Sequence, residues 1–295
     1  MTDGGTGDGA PGAAGGAVGG AVAGPDIAGL QGRALRVRDH ILSIGAGPIG
    51  THLGGSLSAA DIMVALYFHA LRVRPEDPGW ADRDYFVLSK GHASAVLYAT
   101  LAERGFLPVA ELASYGGTGG RLFAHPTPTV PGVEFATGSL GHGLSLAVGL
   151  ALAARRGGRP NRAFVLLGDG ELQEGSVWEA AMSAAHFGLD NLTAVVDRNQ
   201  LQINGRTENR MRLEPLADRW RSFGWVAVGV DGHDMAALVE RLDRLPAEPG
   251  RPTVLIADTV KGRGVGFLEN RRQSHYAVLG RGAYQRAYAA LHGTP

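Results

Sequence analysis

The chain has 295 residues, is 44% hydrophobic and 19% charged, and carries 28 basic and 28 acidic residues that cancel to a formal net charge of zero. With Lys and Arg spread along the chain and no basic stripe, nucleic acid and anionic membrane are not expected as partners. It has no cysteine, which excludes disulfides and thiol catalysis and fits a cytoplasmic setting.

Residues 1–24 are dominated by Gly and Ala, without the basic start or continuous apolar core of a signal peptide, and are expected to form a disordered tail. Residues 25–295 are expected to form one α/β domain. No run long enough to cross a membrane is read from the sequence. Apparent strands near 84–88, 163–167, 192–197, 225–230 and 253–258 alternate with helical patterns, which predicts a parallel sheet covered on both faces. The order of the strands is not legible in this pattern.

The stretch from Gly168 to Gly205 carries the chemistry. AFVLL (Ala163 to Leu167) reads as a buried strand that ends in the turn GDG, with Asp169 at its centre. A helical pattern follows from about Glu171 to Phe187, then LTAVVD (Leu192 to Asp197) reads as a second buried strand with Asn199 just past its end. A right-handed crossover makes the two strands parallel, so Asp169 and Asn199 open on the same sheet edge, where one ion can bridge them. A carboxylate and an amide oxygen are hard ligands that suit Mg²⁺ with water and phosphate oxygens in the other positions. Gly168 and Gly170 leave the backbone bare for a diphosphate, and a helix beginning near Glu171 would offer unpaired N–H groups. GDG alone is a common turn; the Asp-to-Asn pairing is what distinguishes this one.

Imidazole is the side chain best placed to exchange protons near neutral pH. His52, His92 and His142 lie in glycine-containing turns, and His125 and His275 lie in the short segments AHP and RQSHY. His40, His69, His186, His233 and His292 read as surface or packed histidines, and Glu171 and Glu179 as solvated helix glutamates.

The Asp-to-Asn spacing resembles the thiamine diphosphate motif, which implies that Asp169, Asn199 and the main-chain carbonyl of Leu201 hold Mg²⁺. THLGGSLSAADIMVAL, DYFVLSKGHASAVLYATL, AHP, PGVEFATGSLGHGLSLAVGLAL and LEPLADRWRSFGWVAVGVDGHD extend the likeness. Together they resemble the amino-terminal, diphosphate-binding half of a transketolase, over roughly Ile27 to His275. The resemblance implies the three-layer thiamine diphosphate-binding fold. It implies that His52, His92, His125 and His275 line the cofactor and the sugar, His92 and His275 contacting both. Glu174 would join a carboxylate network between two active sites, and Asp197 would lie near the thiazolium ring. Gly138, Ser139 and Leu140 would contact the cofactor, with Ser139 standing where many relatives have proline and His142 where many have glutamine. Gly168, Asp169 and Gly170 would face the diphosphate, and Lys261 and Arg263 would help close that end.

A whole transketolase is about twice this length, and its second half supplies the pyrimidine-binding domain, an activating glutamate and arginines for sugar phosphate. The expectation is therefore one component of a two-component enzyme that moves a ketol unit between sugars or sugar phosphates, working with a separate carboxyl-terminal subunit. The alternatives that share the cofactor are a deoxyxylulose phosphate synthase and the alpha component of a 2-oxo acid dehydrogenase. A non-catalytic assembly component is a third.

Overall fold

The alternation of large apolar residues in the predicted strands sorts their side chains onto two faces, because successive residues of a strand point oppositely. A computed structural model describes residues 24–293; residues 1–23 of the expected tail lie outside them. The strands are β1 (Tyr85–Leu88), β2 (Ala163–Gly168), β3 (Leu192–Arg198), β4 (Leu201–Gln202), β5 (Gly205–Arg206), β6 (Val226–Asp231) and β7 (Thr253–Asp258). Five of them form one sheet in the order β1-β2-β3-β7-β6, every pair parallel. β4 and β5 make a small antiparallel hairpin just past β3.

The helices are α1 (Ile27–Gly45), α2 (Leu53–Ala65), α3 (Ser94–Arg104), α4 (Gly143–Arg156), α5 (Gly175–His186), α6 (Thr207–Arg210), α7 (Leu216–Ser222), α8 (Met235–Asp243) and α9 (Arg281–His292). Phe86, Leu88, Phe164, Leu166, Val195 and Leu255 pack with Ile41 of α1, Leu57 of α2, Val96 of α3 and Leu238 of α8. The alternate residues Val87, Val165, Leu167, Ala194, Val196 and Val254 pack with Leu144 of α4, Val177 of α5 and Trp220 of α7. The result is the three-layer arrangement expected from the sequence.

Leu53–Ala70, comprising α2 and the π-helical turn after it, is long and apolar enough to cross a membrane by length and composition alone. Its window is 83% buried within the protein, and every residue of α2 is buried, so its apolar character serves the core. The helix predicted from Glu171 begins instead at Gly175, after a 3₁₀ turn over Gly170–Gln173.

Since the sheet is parallel, all its carboxyl ends open on one edge. Gly168 lies beside Asp197, and Arg198 beside Asp258. The chain passes from β3 out to β6 and returns as β7 between them, so the strand order reverses beside β3. Such a reversal leaves a crevice above the strand ends, where ligands of this fold class bind.

Candidate functional site

A cleft of about 380 Å³ opens at this edge, within the size range of small-molecule sites. Of the residues expected from sequence, His52, His92, Gly138, Leu140, Gly168, Asp169, Gly170, Glu174, Asn199, Leu201, Lys261 and His275 line it. Neither Gly168 nor Gly170 has positive φ. A Cβ on Gly168 would meet Lys90 only at 3.8 Å, so what a side chain would take there is cleft space. Gly138 differs: its φ is +153°, and a Cβ would sit 2.7 Å from Cδ2 of His125.

Asp169 is 2% exposed. Its Oδ1 accepts the Gly170 N–H at 2.7 Å, and its Oδ2 accepts the Gln200 N–H at 2.5 Å and pairs with Nη1 of Arg198 at 3.1 Å. Burial pushes its carboxyl up and the charge of Asp197 adds to that, against the pull of Arg198. Past β3, Gln200 adopts φ +64°, a left-handed conformation uncommon outside glycine. Around it the Leu201 N–H donates to Oδ1 of Asn199 at 3.1 Å, while the Leu201 carbonyl accepts Nζ of Lys261 at 2.8 Å. Asn199 Nδ2 donates to Oδ2 of Asp197 at 3.1 Å, which turns the amide oxygen away from that carboxylate.

Asp197, expected beside the cofactor ring, lies beneath the cleft and does not line it. It is fully buried and ion-paired with Nζ of Lys90, and it accepts hydrogen bonds from Ser58 and Thr259. Burial alone would raise its carboxyl, but Lys90, Thr259 and Ser58 hold it below its ordinary value. Lys90 also donates to the Gly55 carbonyl at 2.8 Å. In sequence the SKGH segment stands out for its histidine and not for this lysine, although a lysine just past a buried strand is a usable signal.

The four histidines expected at the site converge. His52 lies 5.1 Å from His92, 5.2 Å from His275 and 6.4 Å from His125 between ring centroids, and His92 stacks on His275 at 5.4 Å. His125 is exposed at the edge of this group, outside the cleft lining. Burial, then His125 and Lys261, bring His52 down to about 4; burial, Lys261 and His52 bring His275 to about 4. Burial and Lys90 hold His92 well below its ordinary value. Lys261 falls to about 8, through burial and Lys90. These three imidazoles are therefore neutral near pH 7, able both to accept and to donate.

A pH dependence follows. An unfolded histidine binds a proton near 6.5 and these folded ones only near 4, so their contribution to stability is complete above 6.5 and is lost as pH falls through that window. The melting temperature is expected to drop between pH 6.5 and 4, and the double substitution His52→Asn/His275→Asn to flatten the drop. An equal slope in the double variant contradicts neutral burial of these rings.

Glu171 departs from its expected place on a solvated helix face. It is 2% exposed, and its carboxylate accepts from Oγ of Ser89, from the Gly141 N–H at 2.8 Å and from the Gly168 N–H at 3.0 Å. One side chain thus joins the SKGH, SLGHG and GDG loops, and turning inward to do so it delays α5 to Gly175. Glu179 is exposed as expected, and Glu174 is exposed at the cleft rim. Ser139 and His142 face a neighbouring open groove of about 500 Å³ that shares Gly138 with the cleft. Nδ1 of His142 lies 3.2 Å from the carbonyls of Ser139 and Leu140.

Among the other histidines, His40 pairs with Glu103, His69 with Asp243 and His292 with Asp39, and His186 is exposed. Arg263 faces away from the cleft into a separate hollow with Arg38 and Asp61. The segment 271–279, which sequence leaves without a role, forms a cleft wall: Ala277 and Thr51 bridge through N–H···O bonds of 3.0 and 3.1 Å, which brings His275 and Tyr276 against His52. Gln173, Gln202 and Ile203, none of them distinguished in sequence, also line the cleft.

From residue 32 to residue 291 the chain matches the family described as transketolase, thiamine diphosphate binding domain. It is 43% identical over 236 residues to one subunit of an apulose-4-phosphate transketolase from Phocaeicola vulgatus, covering 80% of this chain and 84% of that one. It is 41% identical over 241 residues to one subunit of a 6-deoxy-6-sulfo-D-fructose transketolase from a Clostridium species, covering 81% and 88%. Transketolase from Leishmania mexicana overlays with a TM-score of 0.83 at 30% identity, covering 89% of this chain and 41% of that longer one. The chain belongs to the transketolase family, as a transketolase-like enzyme component carrying its thiamine diphosphate-binding domain.

Proposed function

We propose that this chain is the diphosphate-binding component of a two-component transketolase that moves a two-carbon ketol unit from a ketose to an aldose, with Mg²⁺ and thiamine diphosphate in the cleft. The observation that carries this reading is the meeting of Asp169, Asn199, the Leu201 carbonyl and Lys261 with neutral His52, His92 and His275 in one cleft. Bound thiamine diphosphate supplies the chemistry of breaking and forming bonds beside a carbonyl.

The residues fit that group. Among the described residues no cluster of three or more His, Cys, Asp or Glu side chains is placed to hold an ion. A cation here would therefore draw on one carboxylate, one amide oxygen, one main-chain carbonyl and the phosphate oxygens, a hard set suited to Mg²⁺. The Leu201 carbonyl has a second lone pair, so it can serve a metal without losing Lys261. Two buried polar atoms at the cleft, Nδ1 of His52 and Oε1 of Gln202, have no hydrogen-bond partner, a condition that a polar ligand relieves. Neutral His52, His92 and His275 would orient sugar hydroxyls and exchange protons with them, and Lys261 would face the phosphate end.

A second polypeptide would complete the site. The cleft is open beside Glu174 and Ile203, the latter 61% exposed, and α5, which leads away from the rim, leaves Met182 largely exposed. Such exposed apolar side chains would be covered if a partner docks over the rim. The complete enzyme would be a heterotetramer with two active sites, Glu174 lying between them, in the cytoplasm. The two relatives from Phocaeicola and Clostridium are named for a sugar phosphate and a sulfo sugar, so a donor with an anionic end is the proposed substrate class.

The test is turnover of a ketose donor with Mg²⁺ and thiamine diphosphate. The purified chain alone is expected to show none, and adding a pyrimidine-binding partner to restore it steeply with protein concentration. Robust turnover by this chain alone would sink the two-component reading.

A further inference from the structure

The DGHD turn after β6 holds a histidine that the cleft does not use. His233 has a side chain only 8% exposed, and both of its ring nitrogens are engaged. Nδ1 lies 2.7 Å from Oδ2 of Asp61 on α2, and Nε2 accepts the Val260 N–H at 2.8 Å. Since Nε2 accepts, the proton sits on Nδ1 and is donated to Asp61, so the geometry sets the tautomer. Asp61 is gripped from α1 by Arg38, whose Nη1 and Nη2 reach its two oxygens at 3.0 and 2.6 Å.

Charge balance does not require the imidazole: a two-pronged Arg–Asp pair is already neutral and well bonded. What His233 adds is an acceptor for one main-chain N–H, and the position of that N–H is informative. Val260 lies between Thr259, whose hydroxyl donates to Asp197, and Lys261, whose ammonium reaches the Leu201 carbonyl at 2.8 Å and His275 at 3.2 Å. Main-chain bonds to Arg198, Gly54 and Asn270 hold Thr259, Gly262 and Lys261 on either side, and the His233 bond holds Val260 between them from behind.

We propose that Arg38, Asp61 and His233 form a positioning relay that fixes the 259–262 loop from behind, and through it the placement of Lys261 in the cleft and of Thr259 on Asp197 beneath it. None of the three touches the cleft, so they are positioning residues. The consequence for cofactor binding rests on the proposed function; the consequence for the loop does not.

Two near-isosteric substitutions separate the roles. In His233→Gln the side-chain oxygen can take the place of Nε2 and still accept from Val260, whereas in His233→Asn the shorter amide reaches only the Nδ1 position and can donate to Asp61. Amide hydrogen exchange in the cofactor-free full-length chain is expected to speed up at 259–264 by about tenfold in the Asn variant, which loses the Val260 acceptor, and by about threefold in the Gln variant, which keeps that acceptor but loses its anchor on Asp61. In the assembled enzyme the Asn variant is expected to weaken thiamine diphosphate binding by about tenfold at saturating Mg²⁺, with kcat at saturating cofactor nearly unchanged. Equal exchange at 259–264 in the two variants, or a fall in melting temperature with exchange there unaltered, overturns the relay. If wild-type assembled enzyme binds no thiamine diphosphate, the proposed function fails, and the exchange contrast still decides the relay.

Discussion

Replacing Asp169 or Asn199 with Ala is expected to abolish Mg²⁺-dependent binding of thiamine diphosphate by the assembled enzyme. Loss of residues that merely support a metal ligand costs about 10- to 100-fold in affinity, and removal of a ligand itself should exceed that range. Neither neighbouring buried carboxylate can substitute: Asp197 is enclosed by Lys90, Ser58, Thr259 and Asn199, and Glu171 by three donors from neighbouring loops.

In the cofactor-free chain, Asp169→Ala also changes a network of buried polar groups. Asp169→Ala strips Arg198 of one partner but leaves it Thr207, Glu208 and Glu214 at 2.8, 3.0 and 2.9 Å. It also removes a repulsion with Asp197 that helps raise the Asp169 carboxyl, but it leaves the Gly170 and Gln200 N–H groups without their acceptor, so a modest net loss of stability is expected. Isothermal titration beside a melting curve decides the matter. Unchanged cofactor affinity in a folded variant would show that the replaced residue holds no cation.

Lys90→Met is expected to act on stability first. It removes the partner of a fully buried carboxylate whose other neighbours, Ser58, Thr259 and Asn199, are neutral. Breaking one side of a buried pair costs about 3–5 kcal/mol, because the remaining charge loses its directly bonded counter-ion and has no water to replace it. At about 2.1 cal/mol/K of unfolding entropy per residue, that corresponds to a fall of roughly 5–9 °C in melting temperature for a chain of this size. Adding Asp197→Asn to Lys90→Met removes the stranded charge and should recover much of the loss. A single variant within about 2 °C of wild type by calorimetry would mean that Asp197 takes up a proton at little cost.

The exits of β2 and β3 were legible because local rules govern them. Short apolar runs closed by GDG and by an Asp–Arg–Asn turn read as buried strands, the helical pattern between them makes the two parallel, and their carboxyl ends then share an edge. The predicted strand at 253–258 coincides with β7. His52, His92 and His275 could be selected because their motifs resemble those of a family, not because of their spacing. That resemblance does not say how the rings contact one another, which depends on the bridge between Thr51 and Ala277, more than two hundred residues apart in the chain.

What local reading missed was decided at long range. Glu171 has the sequence of an exposed first-turn glutamate, and only the approach of Ser89 and Gly141 from two other loops turns it inward and moves the helix start to Gly175. Asp197 lies beneath the cleft because Lys90, at the end of a different strand, reaches it. His233 gains its role from Asp61 and Val260, neither adjacent to it in sequence. The sequence by itself determined the fold class, the strand exits and, through its motifs, the family, and it put forward Asp169, Asn199 and Leu201 as candidate oxygen ligands. The tertiary structure alone decided the strand order and which buried polar groups answer one another, because a desolvated charge or N–H must find its partner wherever the packed chain supplies one.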